Sequence, residues 1–142
     1  MSGAPATTES HGMRVLPREE CLKLLERPGV GILALRGVEA PALRPVNFAA
    51  RDERVVIRTG EGRILAAAEA NEPASFVVTA VDAFEHTGRS VVVTGRLETR
   101  VPDEAIESLP VRPWVRSPKH HVVTLSMDEV SGREIDPTRE LG

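Results

Sequence analysis

Residues 29–59 read GVGILALRGVEAPALRPVNFAARDERVVIRT, and this stretch decides the fold. It consists of short runs rich in Val, Ile and Leu, separated by turn-forming segments at 37–41 and 51–53. Such runs predict β-strands, and the short connections predict that neighbouring strands pair antiparallel. Pro45 lies inside the second run, which indicates an edge or a bulge there. We therefore expect an antiparallel meander with strands at 29–36, 42–50 and 54–59.

The flanking sequence continues this pattern and adds a few short helices. Pro17 begins an amphipathic segment with two Glu in its first turn, and Pro28 follows that segment, which are start and stop signals of a helix. Gly95 interrupts a later apolar run, as a bulge or a barrel corner would. The predicted helices are 17–27, 63–71 and 102–109. The further predicted strands are 75–84, 89–101 and 120–130. Residues 133–135 either extend the last strand or add another. This order favours a mainly β, closed or nearly closed antiparallel barrel.

The composition limits the class of protein. With 142 residues the chain has the length of one domain, which we place at 13–136, between a disordered tail at 1–12 and a short tail at 137–142. A net charge of -3 gives no general attraction to nucleic acid or to an anionic membrane. We expect neither a leader peptide nor a membrane span, and hence a cytoplasmic location. The single cysteine, Cys21, excludes an internal disulfide, and the leucines around it predict a buried, inert thiol.

The passage from Arg58 to Leu65, RTGEGRIL, joins a predicted strand to a predicted helix. A bound phosphate needs charged donors and exposed backbone N–H groups, and this passage offers two arginines, a threonine hydroxyl and two flexible glycines. An ordinary strand-to-helix turn with solvated arginines explains the same residues. The passage is neither a Walker loop nor the dinucleotide-binding fingerprint. From its residues alone, it is either a phosphate cradle or a plain connection.

Other polar residues suggest less specific chemistry. Asn47 lies in an apolar strand and needs hydrogen-bond partners, which are either backbone groups at a bulge or a ligand. His120 and His121 are neighbours in a predicted strand and point to opposite faces, so they do not chelate one metal ion. Ser90, His121 and Asp82 are residue types of a hydrolase triad, but no motif brings them together.

Five segments, in this order, resemble the pyridoxamine 5′-phosphate oxidase-like proteins, a family of FMN-binding split barrels, and in particular its small actinobacterial members. They are RPVNF (44–48), RTGEGRIL (58–65), SFVVTAVD (75–82), GRSVVVTGR (88–96) and RPWVRSPKHHVVTL (112–125). The resemblance runs from Met13 to Ile135 and implies a six-stranded antiparallel split barrel. It also implies a homodimer with one FMN in each of two clefts at the shared interface.

The resemblance assigns eight residues to the cofactor: Pro45, Val46, Asn47, Arg58, Thr59, Arg63, Ser90 and Trp114. The two arginines and the threonine are expected to bind the FMN phosphate, and the Pro-Val-Asn run is expected to lie along the flavin ring and its polar edge. The serine and the tryptophan approach the cofactor, the latter from the partner chain. Two positions differ from the family pattern. Arg63 replaces a frequent lysine and keeps its charge, and Arg89 replaces a frequent aromatic residue before Ser90.

The family resemblance implies an oxidoreductase that exchanges hydride between FMN and a small-molecule substrate, with no side chain acting as an acid or a base. The substrate-binding Arg and His pattern of the vitamin-forming oxidases is not recognisable near the C-terminus, so pyridoxine chemistry is not expected. Some relatives use the deazaflavin F420 and some bind haem. An F420-dependent reductase and a non-catalytic flavin or haem carrier or sensor are therefore the alternatives. Nucleic acid, membranes and metal ions are not expected partners.

Overall fold

The computed structural model describes residues 13–109 and 121–138, and within them it contains eight strands and three helices. The strands are β1 (Met13–Val15), β2 (Gly29–Leu35), β3 (Ala42–Arg51), β4 (Arg54–Thr59), β5 (Pro73–Asp82), β6 (Thr87–Arg100), β7 (His121–Ser126) and β8 (Glu129–Ile135). The helices are α1 (Arg18–Leu25), α2 (Arg63–Glu69) and α3 (Glu104–Glu107). The predicted tail at 1–12 lies outside the described residues, as do residues 139–142 of the predicted C-terminal tail.

Six of the strands close into an antiparallel barrel in the order β6, β5, β2, β3, β4 and β7, and β7 pairs back with β6. The second half of one edge of β6 pairs with β7, and the first half of the same edge pairs with β8, which in turn pairs with β1. The predicted six-stranded antiparallel barrel is confirmed. Successive side chains point into the barrel and away from it, but β4 and β7 bury residues on both faces, because α3 covers Val56 and Val122 from outside.

The strand predicted over 120–130 is wrong. The structure has two strands here, since β7 ends at Ser126 and β8 begins at Glu129. β7 pairs with β4 and the end of β6, whereas β8 pairs with the beginning of β6. β8 continues in the direction of β7 along the same edge of β6. Three residues separate Leu125 from Glu129, whereas two separate Thr94 from Leu97 on β6, so the chain bulges around Met127. The predicted extension at 133–135 belongs to β8.

The strand β6 changes its neighbour at Gly95. Its residues up to Thr94 pair with β8, and those from Leu97 onwards pair with β7. A Cβ atom on Gly95 would overlap the Ser126 carbonyl oxygen, so glycine is needed for the close approach of the two backbones. The sequence predicts a bulge or a barrel corner at this glycine, and the structure places the change of neighbour there.

The barrel interior forms the hydrophobic core. Phe48 and Phe76 meet there edge to face, with ring centroids 4.9 Å apart. α2 buries its apolar face in this core, and α1 adds Cys21 and Leu25. The predicted buried thiol is confirmed, because Cys21 has no exposed surface and its burial raises its pKa.

α3 lies on the outer face of the barrel. Its Ile106 is buried against Val56 of β4 and Val122 of β7. Asp103 caps the helix, because its Oδ1 accepts a hydrogen bond from the Ile106 backbone N–H at 2.9 Å. These contacts fix the position of a helix only four residues long. None of the described helices is long and apolar enough to cross a membrane.

Candidate functional site

The barrel is split between β3 and β4. Their ladder begins at the hairpin and ends at the pair Phe48–Ile57, so strand pairing does not join the next facing positions, Asn47 and Arg58. Among the residues that the structure describes, beyond this level β3 pairs only with β2, and β4 pairs only with β7. Pro45 lies in the part of β3 that pairs on one side, which confirms the edge position predicted for it.

Asn47, Arg58 and Ser90 share the outer face of the barrel. On its strand, each of them is adjacent to a core residue, and successive strand side chains point to opposite faces. Those core residues are Phe48, Ile57 and Val91. Pro45, two positions before Asn47, lies on the same outer face and is exposed. Four of the predicted cofactor residues therefore point to the outside of the barrel. Pro45, Asn47 and Arg58 lie on the adjacent strands β3 and β4, whereas Ser90 lies on β6, which is separated from β3 by β5 and β2.

Val46 and Thr59 point towards the interior. Val46 is part of the core, so only its backbone can contact a molecule on the outer face. Thr59 is 9% exposed, and its side chain diverges from that of Arg58 because the two are neighbours on one strand. The predicted cofactor residues are thus divided between two faces of the sheet. Trp114 lies outside the described residues.

The Asn47 amide and the Ser90 hydroxyl are half-buried, and neither forms a hydrogen bond within residues 13–109 and 121–138. An asparagine that stabilised a bulge would bond to nearby backbone groups, and the described chain contains no such bond. Partly buried amides normally have partners. The interpretation of Asn47 as a bulge residue therefore loses its support, and its amide is available to a ligand.

The turn between β4 and α2 presents hydrogen-bond donors. Gly62 precedes α2 with a φ of 142°, a backbone conformation that favours glycine. No side chain caps the helix, so its first N–H groups lack the partner that Ser or Asp would supply. Arg63, the first residue of α2, is exposed and forms no ion pair with the described chain. Uncapped N–H groups beside a guanidinium are a donor set that fits a phosphate.

Two carboxylates contact the basic groups beside this turn. Arg58 donates through Nη2 to Glu107 Oε1 at 3.0 Å, and His121 Nε2 lies 2.8 Å from Glu61 Oε2. Glu107 belongs to α3, and Glu61 lies within the turn. No local sequence pattern marks either contact, because Glu107 is 49 positions from Arg58 and Glu61 is 60 positions from His121.

Arg89 does not share the outer face of Ser90. It donates through Nε to Glu134 Oε2 at 2.7 Å, and its Nη2 lies 3.9 Å from Glu20 Oε1. These contacts join β6 to β8 and to α1. The arginine at this position therefore has ionic partners within the protein and does not lie with Asn47 and Arg58.

The residues of the hydrolase hypothesis are not assembled. Asp82 Oδ1 accepts hydrogen bonds from the backbone N–H groups of Phe84 and Glu85 in the β5–β6 turn. His121 contacts Glu61 instead, and Ser90 has neither residue as a partner. In the described ranges, no group of three or more His, Cys, Asp or Glu side chains is placed to hold a metal ion.

A depression of about 410 Å³ lies beside the outer-face residues. Val30 and Thr79 line it, and they are the register partners of Asn47 and Ser90, respectively. Two basic side chains of the α1 region, Lys23 and Arg27, also line it. The core residues Phe48 and Val78 line it as well, so the depression opens between β2 and β5, whose ladder ends at the pair Ile32–Val77, before Val30 and Thr79.

Known proteins of the same family match most of the chain. A family model described as pyridoxamine 5′-phosphate oxidase matches residues 17–134. The uncharacterized protein Rv0080 of Mycobacterium tuberculosis is 34% identical over 128 residues, and the match covers 84% of each chain.

Solved structures share the whole barrel. The FAD binding protein from Mycobacterium smegmatis has a TM-score of 0.70 and 29% identity, and the match covers 85% of this chain and 98% of that one. An FAD-binding protein from Mesorhizobium loti has a TM-score of 0.72 and 28% identity, covering 86% of this chain and 96% of that one. This chain belongs to the pyridoxamine 5′-phosphate oxidase family, and its fold is the split β-barrel.

Proposed function

We propose that this protein binds a flavin nucleotide at the split between β3 and β4 and acts as an oxidoreductase on a small-molecule substrate. One observation carries the proposal. Three features lie around this split: the Arg58 guanidinium, the uncapped start of α2, and the Asn47 amide, which has no partner in the described chain. Relatives at 28 and 29% identity are named FAD-binding proteins. Their names support a flavin as the cofactor. The two candidates are FMN, which the resemblance implies, and FAD.

The phosphate end of the flavin is assigned to the turn between β4 and α2. Arg63 and the first N–H groups of α2 offer donors there, and Arg58 offers a second guanidinium after it releases Glu107. The Thr59 side chain faces inwards, so we assign the backbone of Thr59, rather than its hydroxyl, to this end. The donor set of the described chain therefore fits a phosphate through two arginines and the helix start.

The ring end is assigned to β3 and β6. Asn47 and Ser90 offer an amide and a hydroxyl to the polar edge of the ring, and Pro45 and the Val46 backbone offer apolar surface. A bound flavin supplies the hydride exchange, so these residues bind and orient and none of them needs to act as an acid or a base. Trp114 keeps the role that the resemblance implies, an approach from the partner chain.

We also propose that the protein is a homodimer with the flavin at the interface. Ile32, Val77 and Val92 face one another across β2, β5 and β6 on the outer face of the barrel. Val92 is 37% exposed, and the other two are half-buried. A row of branched apolar residues on the outside of a sheet is typical of a surface that a partner covers.

The visible spectrum of the purified protein, followed by titration with FMN and FAD, tests the flavin proposal. Flavin absorption that NADH or NADPH bleaches is expected, and protein that binds neither flavin contradicts the proposal. A Soret band would instead support the haem carrier, and binding of F420 alone would support the F420-dependent reductase. Sedimentation equilibrium tests the dimer, for which a monomer at micromolar concentration is the contradicting result.

Paired substitutions locate the phosphate. Arg58→Ala with Arg63→Ala should weaken flavin binding about 100-fold, because each charge-assisted contact contributes about 1.5 kcal/mol. The matched control is Arg36→Ala with Arg51→Ala, which removes the same charge from exposed positions away from the split. Equal binding by both double variants would show that the phosphate lies elsewhere.

A further inference from the structure

The ion pair between Arg58 and Glu107 lies where the proposed flavin phosphate needs Arg58. The Arg58 guanidinium donates to the Glu107 carboxylate at 3.0 Å, and the two side chains are 20 and 55% exposed. An anion that binds Arg58 must either displace this carboxylate or lie beside it. Glu107 therefore opposes anion binding at Arg58, and opposes it more strongly as the charge on the anion increases.

The position of Glu107 is fixed by the rest of α3. Ile106, the preceding residue, is buried against Val56 and Val122, and the Glu107 backbone N–H donates to the Asp103 carbonyl oxygen at 2.8 Å. The carboxylate is thus held beside β4 by a packed and capped helix. A side chain held in this way continues to act on a ligand after it has lost its hydrogen bond to Arg58.

We infer that Glu107 is a specificity-determining residue that disfavours the terminal phosphate of FMN relative to the internal diphosphate of FAD; this inference rests on the proposed function. A phosphate monoester carries a charge of about -1.5 to -2 at neutral pH. Each phosphate of a diphosphate diester carries about one charge, so FAD presents a smaller local charge to Glu107. The carboxylate repels the FMN phosphate more, and it therefore shifts the ratio of the two affinities towards FAD.

Isothermal titration of the flavin-free protein with FMN and with FAD tests this inference in wild type and in Glu107→Gln. The variant should bind FMN about three- to fivefold more tightly and FAD about 1.5- to twofold more tightly, the range expected for a partly exposed ion pair. The ratio of the two dissociation constants therefore shifts towards FMN. The shift should shrink at high salt, because screening weakens the interaction of exposed charges.

Two further variants separate Glu107 from general effects of charge. Glu104→Gln removes the same charge from an exposed side chain of α3 that has no ion-pair partner in the described residues. The ratio of its dissociation constants for FMN and FAD should remain that of wild type. Glu107→Asp keeps the charge and should keep the preference for FAD. Circular dichroism and thermal unfolding establish that each variant is folded.

The possible results distinguish the inference from the proposed function. If Glu107→Gln changes both affinities by the same factor, or if Glu104→Gln shifts the ratio equally, the inference is wrong and flavin binding stands. If neither wild type nor Glu107→Gln binds either flavin, both are wrong. A ratio of FMN to FAD affinity that Glu107→Gln shifts towards FMN and that Glu107→Asp leaves at the wild-type value would support the assignment.

Discussion

Arg89 and Glu134 face each other across β6 and β8, and the Arg89 Nε donates to the Glu134 carboxylate at 2.7 Å. On the other side of β8, Arg14 of β1 faces the same glutamate and donates to its second oxygen at 3.1 Å. Glu134 itself is buried. One carboxylate thus joins the barrel strand β6 to β8 and β1, which lie outside the closed barrel.

Glu134→Gln should lower the free energy of unfolding by about 2 kcal/mol, because it leaves two guanidinium groups without their buried counter-ion. The expected loss of stability is smaller than for a fully buried ion pair, because the side chains of both arginines are partly exposed, at 22 and 39%. Urea unfolding measures the change. Glu129→Gln, at an exposed position of the same strand, is the control and should change stability by less than about 0.5 kcal/mol. Similar losses in both variants would contradict the special role of Glu134.

The carboxylate of Glu20 predicts a pH dependence of stability. A hydrogen bond from Arg14 lowers the pKa of Glu20 below its ordinary value. Because the folded pKa is the lower one, the ionised carboxylate stabilises the protein above the pKa of the unfolded chain, and this contribution is lost as the pH falls through the folded pKa.

Glu20→Gln should therefore be less stable than wild type at about pH 7, and the difference should shrink as the pH is lowered into the acidic range, as urea unfolding over a pH series would show. Glu19→Gln removes a charge from the same helix turn but touches no ion pair in the described chain, so it controls for the helix dipole. A difference between wild type and Glu20→Gln that does not depend on pH would contradict the prediction.

Gly95→Ala should destabilise the barrel by about 3 kcal/mol, because its new methyl group overlaps the Ser126 backbone and forces β6 and β7 apart. Gly29→Ala is the matched control, since nothing lies within 4 Å of a Cβ atom there. Thermal unfolding of both variants should show a large fall in melting temperature only for Gly95→Ala. Equal melting temperatures would show that the strands adjust without cost.

Thr124→Val should stabilise the protein by about 1 kcal/mol. Thr124 is 1% exposed, and its hydroxyl finds no hydrogen-bond partner in the described part of the chain. A valine of similar shape removes the cost of burying that group. The contrasting variant is Thr94→Val, which breaks a 3.2 Å contact with the Ser75 hydroxyl and should destabilise by a similar amount. Chemical denaturation that finds both variants destabilised would indicate an unseen partner for Thr124.

Local sequence patterns predicted most of the barrel because the order of apolar and polar residues in each strand indicates which of its faces is buried. The run 54–59 matches β4, and Gly95 marks a barrel corner correctly. The stretch 120–130 fails because its apolar pattern does not reveal that the neighbouring strands change after Ser126. Register and strand neighbours depend on contacts that are distant along the chain.

The candidate site was predictable only in part for the same reason. Asn47 and Arg58 are separated by one hairpin, so the sequence could place them on adjacent strands. The inward orientation of Thr59 follows from the buried side of β4, which only the closed barrel defines. The contact of Arg58 with Glu107 has no local signal, since it requires α3 to pack on Val56.

By itself, the sequence determined the kind of fold and the family, because strand periodicity, turn residues and the order of motifs are properties of the chain alone. The tertiary structure decided where the barrel splits, which side chains share its outer face and which carboxylate contacts Arg58. These features depend on register and closure, which bring together residues that are far apart in the sequence.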